Sequence, residues 1–172
     1  MRSILRFVGG LLALLVLAIV VVLVAARFAD GPVAIVAGGA FTSGELVTGA
    51  EPNWSFVRGI QEVEFQLVDP PRSRTTWILE HGGKAYIPCG YMTSWWGRIW
   101  KRWPIEVEED DRAILRIGDK LYERRLVRIE EGPMLDPLLA QLSQKYLGGI
   151  EIPADGVSSG SLWLFELAPR GS

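Results

Sequence analysis

The sequence predicts a mainly β, α+β domain, a small barrel with short helices, carried behind one membrane-spanning helix. Three observations predict it: a charge-free apolar run near the N-terminus, period-two alternation in several later segments, and glycine turns between those segments at hairpin spacing.

The apolar run comes first. Phe7 to Ala26 reads FVGGLLALLVLAIVVVLVAA, twenty positions without a charge, long enough as a helix to span the ~30 Å hydrocarbon layer. A helix is the only lone segment that satisfies its own backbone in lipid. Val24-Ala25-Ala26 resembles a signal-peptide cleavage site, but a cleavable core is typically ~7–15 residues. An uncleaved anchor is the preferred reading, with a cleaved signal and a buried soluble helix as the alternatives. Arg2 and Arg6 precede the run, whereas Arg27 and Asp30 nearly cancel after it. The positive-inside rule then sets the N-terminus in the cytoplasm and the C-terminal domain on the exoplasmic side, periplasmic in a bacterium. The expected division is 1–29, cytoplasmic tip and anchor, and 30–172, extramembrane domain.

Without Arg2, Arg6 and Arg27 the chain carries 15 basic against 20 acidic residues. So acidic a domain has no general electrostatic case for nucleic acid. Cys89 is the sole cysteine and His81 the sole histidine. That leaves no intrachain disulfide, no thiolate or imidazole metal cluster, and little basis for a Ser-His-Asp triad. Cys89 reads as a buried structural thiol and His81 as an exposed turn residue.

Along the domain, Asp30-Gly31-Pro32 is a turn signal, and Val33 to Val36 is expected as a short apolar strand closed by Gly38-Gly39. Residues 40–62 are rich in Gly, Thr, Ser and Pro and read mostly as loop. Val63, Phe65 and Leu67 then alternate with Glu64 and Gln66, a half-buried strand broken by Asp69-Pro70-Pro71. Arg74 to His81 is the next strand, with Gly82-Gly83 as a two-residue hairpin turn into Lys84-Ala85-Tyr86-Ile87. Ala113 to Ile117, Gly118-Asp119 and Leu121 to Ile129 repeat the scheme. Asp136 is an N-cap candidate, with Leu138, Leu139, Leu142 and Tyr146 at helical spacing and Gly148-Gly149 as the stop. Ser161 to Leu167 is a closing strand.

Two segments are candidates for chemistry. Four of the seven tryptophans fall between Trp95 and Trp103, interleaved with Arg98, Lys101 and Arg102 and ended by Pro104. On a helix, Trp96, Ile99, Trp100 and Trp103 share one face and the bases the other. Three roles fit: a plug in the barrel end, a membrane-interface helix, or the rim of an anion or aromatic-ligand site. Arg72 and Arg74, followed by the Thr75 and Thr76 hydroxyls, make either a phosphate cradle or a solvated turn. The acidic run Glu106 to Asp111 reads as a solvated loop or strand edge.

The order of Pro71-Arg72-Ser73-Arg74-Thr75-Thr76-Trp77-Ile78, Gly82-Gly83-Lys84-Ala85-Tyr86-Ile87-Pro88 and Trp100-Lys101-Arg102-Trp103-Pro104 resembles the flavin-binding split-barrel superfamily. That group includes pyridoxamine-phosphate-oxidase-like and deazaflavin-dependent nitroreductase-like proteins. Arg112 to Gly118, Tyr122 to Ile129 and Gln144-Lys145-Tyr146 are similar to it as well, so the resemblance covers roughly residues 60–147. It implies a split β-barrel that binds FMN or a deazaflavin and pairs as a homodimer through barrel faces. It also implies that Arg74 and Thr76 hold the cofactor phosphate, Tyr86 lies along the cofactor, and Arg98 or Lys101 supplies a second cation. The chain departs from the group at Tyr91 to Gly97, where bulky Trp95 and Trp96 replace small polar residues and a lysine. Those rings would stack on an isoalloxazine or fill its place.

Two functions follow. The preferred one is a cofactor-free, membrane-anchored binding or accessory subunit of a membrane complex, because free flavins are scarce outside the cytoplasm. The alternative is a membrane-anchored flavin- or deazaflavin-binding oxidoreductase-like domain, in which the cofactor carries the hydride chemistry.

Overall fold

The computed structural model describes residues 2–90, 102–153 and 155–171. Helix α1, Arg2–Ala26, is long and apolar enough to cross a membrane; its most apolar stretch has mean hydropathy 3.2 and none of it is buried by the rest of the chain.

Beyond α1 the described chain forms eight strands: β1 (Glu45–Leu46), β2 (Glu62–Leu67), β3 (Arg72–Trp77), β4 (Leu79–His81), β5 (Lys84–Gly90), β6 (Arg112–Ile117), β7 (Lys120–Ile129) and β8 (Leu162–Pro169). A 3₁₀ helix (Trp54–Gly59) and helices α2 (Trp103–Glu109), α3 (Leu135–Tyr146) and α4 (Asp155–Ser158) complete it. This is the mainly β class, with short helices, that the sequence predicts. The strand order is β3-β2-β6-β7-β8-β5-β4, all antiparallel; the short β1 adds to β7 in parallel. The two ends of that order, β3 and β4, are consecutive in the chain with only Ile78 between them. The run 72–81 therefore pairs with β2 in its first part and β5 in its last, and so closes the sheet into a barrel. Gly82 and Gly83, at φ +62° and +79°, make the β4–β5 turn, a backbone that glycine adopts without a Cβ clash.

Alternation sorts the side chains into two cores. Val63, Phe65, Leu67, Ala85, Ile87, Leu115, Phe165 and Leu167 fill the barrel. On the outer face Leu79, Tyr86 and Leu164 are covered by Leu138, Leu139 and Leu142 of α3 and Val157 of α4. Each large side chain so buried stabilises the fold by ~1.5–3 kcal/mol relative to exposure. Val63, Phe65 and Leu67 are thus covered inside one barrel.

Four local expectations change. Val33 and Val36 exchange backbone hydrogen bonds of 3.0 and 2.9 Å in a tight turn, so the five residues between Gly31-Pro32 and Gly38-Gly39 fold back on themselves instead of extending as a strand. Residues 72–77 and 79–81 are two strands, because the ladder changes partner at Ile78. Pro104 opens α2 instead of ending a helix, since the first turn has no use for its missing N–H. That puts Glu106 to Glu109 in a helix, not in a loop or strand edge. Finally, α3 begins at Leu135, with Asp136 in its first turn, where a carboxylate meets the positive end of the helix dipole.

Candidate functional site

The site begins with the register of β2 and β3. Leu67 pairs with Arg72, Phe65 with Arg74 and Val63 with Thr76, and directly opposed residues share a face. Arg72, Arg74 and Thr76 therefore stand on the barrel-interior side of β3, at the strand where the barrel closes. The Arg74 side chain is only 20% exposed. Its guanidinium lies 3.4 Å from the Glu106 carboxylate and donates to the Arg72 carbonyl at 3.4 Å.

Glu106 is delivered by α2. Trp103, at the start of that helix, wedges between Phe65 (centroids 4.8 Å, edge-on) and Phe165 (5.2 Å). Three residues later the chain has turned Glu106 toward β3. Burial lowers the Arg74 pKa, Glu106 pulls it back up, and neighbouring Arg72 lowers it further. Arg72 is lowered by burial and then by the Arg27 charge at the end of α1, with Glu106 opposing. Arg72 and Arg74 thus share the field of the Glu106 carboxylate, and Arg27 is close enough to act on Arg72. Sequence reasoning passed over Glu106 as part of an acidic run; its signal is the three-residue spacing from the Trp103 wedge.

Tyr86 stands apart from this group. It points from β5 into the outer core with Leu79 and the α3 leucines, 2% exposed, whereas Ile87 and Cys89 on the same strand face the barrel interior. Burial pushes its hydroxyl pKa up, and the Glu166 carboxylate adds to that. Arg98 and Lys101, with Trp95, Trp96 and Trp100, lie outside the described residues. Cys89 is buried. Among the described residues no group of three or more His, Cys, Asp or Glu side chains is arranged to hold a metal ion.

A groove of about 830 Å³ opens elsewhere, along α2, β7 and the C-terminal residues, lined in part by Glu108, Asp111, Arg112, Arg125, Arg128 and Arg170. Its charges are matched: Arg112 to Asp110 (2.7 Å), Arg125 to Asp111 (2.6 Å), Arg128 to Glu108 (3.5 Å) and Arg170 to Glu123 (2.7 Å). The Arg128 guanidinium also lies 3.6 Å over the Trp163 ring. Arg125 is a half-exposed ion-pair partner.

The described residues fit a flavin phosphate only in part. Arg72, Arg74 and Thr76 present donors side by side, but the Glu106 carboxylate occupies the cation that a phosphate would use, and Tyr86 is on the other face of the barrel wall.

No family model matches the chain, and no curated protein matches it. Solved structures similar to it include the conserved hypothetical protein Rv2991 from Mycobacterium tuberculosis, at 13% identity and TM-score 0.48, covering 67% of this chain and 77% of that one. A putative pyridoxamine 5'-phosphate oxidase from Listeria innocua matches at 16% identity and TM-score 0.48, covering 68% and 90%. HutZ, the heme storage protein from Vibrio cholerae, matches at 13% identity and TM-score 0.48, covering 68% and 87%. These likenesses concern the fold alone.

Proposed function

We propose that the protein is a membrane-anchored accessory or binding subunit. Its barrel is held on the exoplasmic side by α1, and it works without a bound flavin. The observation that carries this reading is the Arg74–Glu106 pair. A carboxylate 3.4 Å from the best-placed cation competes directly with any phosphate for it, and a charge-assisted bond to an anion is the main attraction such a site has to offer. Homodimer formation, or docking into a larger membrane complex, belongs to the same proposal.

One observation favours the flavin reading instead: Arg72, Arg74 and Thr76 line up on one face with Arg27 nearby, so the region keeps excess positive charge beyond Glu106. The two readings separate in the full chain purified from its own membranes in mild detergent. The accessory-subunit reading expects no flavin absorbance and no saturable quenching when FMN is titrated. Saturable FMN binding that Arg74→Ala abolishes and Arg125→Ala leaves intact would replace it with the flavin reading.

A further inference from the structure

Large apolar side chains stand in solvent just where α1 leaves the bilayer in the anchored reading. Phe28 and Ile35 are each 86% exposed and Val33 is 42% exposed. They lie on the short segment that joins α1 to the barrel, and that segment is pinned, not loose. The Gly39 N–H donates to the Ala29 carbonyl at 3.2 Å, Gly38 and Ser73 pair backbone to backbone, and the Ser73 hydroxyl donates to the Gly39 carbonyl at 2.6 Å. On the other side Arg116 bonds Asp30 at 3.0 Å and Glu64 at 2.6 Å. The Val33–Val36 turn, with Ala34 at φ +52°, holds Ile35 at its tip. Arg27 and Arg72 flank the same seam, one at the helix end and one beside Ser73.

Apolar tips beside arginines, continuous with a spanning helix, are the composition of a membrane-interface surface. We propose that Phe28, Val33 and Ile35 insert into the headgroup layer while Arg27 and Arg72 meet anionic lipid. The joining segment and the barrel rim at the start of β3, where Arg72 lies near Arg27, then rest on the bilayer, and the barrel does not swing on a tether. This rests on the anchor reading. It adds a fixed orientation that the anchor alone does not impose, because a flexible linker would leave the barrel free.

The test uses the full chain in vesicles of phosphatidylcholine with phosphatidylglycerol, carrying in parallel lipids with a shallow nitroxide quencher, which reports on positions 28, 35 and 150, and lipids with a deep one, which reports on position 15. An environment-sensitive fluorophore is attached in turn at Leu15→Cys inside α1, at Ile35→Cys, and at Ile150→Cys on the loop after α3, across the barrel; Cys89 is buried and does not compete. The label at position 35 is expected to be blue-shifted and quenched, and the label at 150 to be neither. Arg72→Gln should shift the seated-to-lifted ratio by about fivefold toward the lifted state, the effect of one basic residue at an anionic surface. Phe28→Cys reads the same surface if Ile35→Cys fails to fold. A quenched label at 15 with unquenched labels at 28 and 35 overturns the proposal and leaves the anchor standing. Unquenched labels at all of these positions overturn both.

Discussion

The ammonium group of Lys145 lies 3.0 Å from the carbonyl oxygen of Ile78, at the residue where the barrel's closing run changes partner. Ile78 belongs to neither ladder, so its backbone groups need other partners. The Tyr146 hydroxyl accepts the Ile78 N–H at 3.0 Å and sits 2.8 Å from its carbonyl and 2.6 Å from that of Gln61. Lys145 also donates to the carbonyls of Ile60 and Val57. The last turn of α3 therefore acts as a clip across the seam of the barrel.

That clip has a measurable weight. Lys145→Met takes the ammonium from three partly buried carbonyls; that of Ile78 keeps the Tyr146 hydroxyl and that of Val57 keeps the Ile60 N–H, so the loss is weighted on the Ile60 carbonyl. Unfolding of the full chain in detergent should shift by about 1–3 kcal/mol, the cost of one unsatisfied group. Tyr146→Phe should cost about 1–2 kcal/mol, since the ring keeps its stack on Trp77 at 4.5 Å and 7°. Wild-type stability in Lys145→Met would mean that water replaces the clip.

Glu80 offers a second test. Its side chain is fully buried; one oxygen accepts the Gly83 N–H at 2.7 Å in the hairpin turn, and the other meets Arg58, whose side chain is 64% exposed. Arg58→Met should destabilise by about 1–3 kcal/mol, because it strands a buried carboxylate. Adding Glu80→Gln should recover part of that loss, since the amide oxygen still accepts from Gly83 and no charge remains. Strictly additive effects in the cycle would show that the pair has no coupling of its own.

The joining segment should respond to acid. The Asp30 carboxyl is held down from 3.8 to about 2 by the Ser43 hydroxyl, then the Thr42 N–H, with Arg116 adding to both. A carboxyl lowered on folding stabilises the folded form fully above its unfolded value, and that contribution fades as pH falls through the folded one. Proteolysis of residues 27–43 should thus stay slow down to about pH 4 and accelerate between about pH 4 and 2. Asp30→Asn should remove the step. A step in wild type near neutrality would assign it to some other group.

The hairpins were legible because their signals are local. Val63, Phe65 and Leu67 announce a strand by their own spacing, and Gly82-Gly83 announces its turn whatever surrounds it. Partner change at Ile78 carries no such mark, since it depends on which strands reach β3 and β4 from far along the chain. For the same reason Arg74 and Thr76 could be offered from the sequence as candidates for a phosphate cradle, while the Glu106 carboxylate beside Arg74 could not be foreseen. Only the packing of Trp103 between Phe65 and Phe165 brings that carboxylate across. Tyr86 could be placed on a strand from the sequence, but which wall of the barrel it faced depended on α3 docking there.

Glycines 38 and 39 decide whether α1 stays pinned to the barrel. A Cβ at Gly38 would sit 1.7 Å from the Gly31 carbonyl oxygen and 2.8 Å from the Ser73 hydroxyl, and one at Gly39 would sit 2.4 Å from the Arg27 carbonyl oxygen. The two carbonyl oxygens are backbone atoms of a segment already held by Asp30 and Arg116, so they cannot step aside without breaking it. Gly38→Ala should therefore open the joining segment. Cleavage between residues 27 and 43 should rise sharply, with a stability loss of about 1 kcal/mol or more. The barrel should still melt cooperatively, because its core and the α3 clip are untouched. Gly59 is the control: a Cβ there meets nothing within 4 Å, so Gly59→Ala should stay within about 0.5 kcal/mol of wild type. If Gly38→Ala leaves both cleavage and melting unchanged, the segment yields easily and α1 is joined to the barrel by a loose tether.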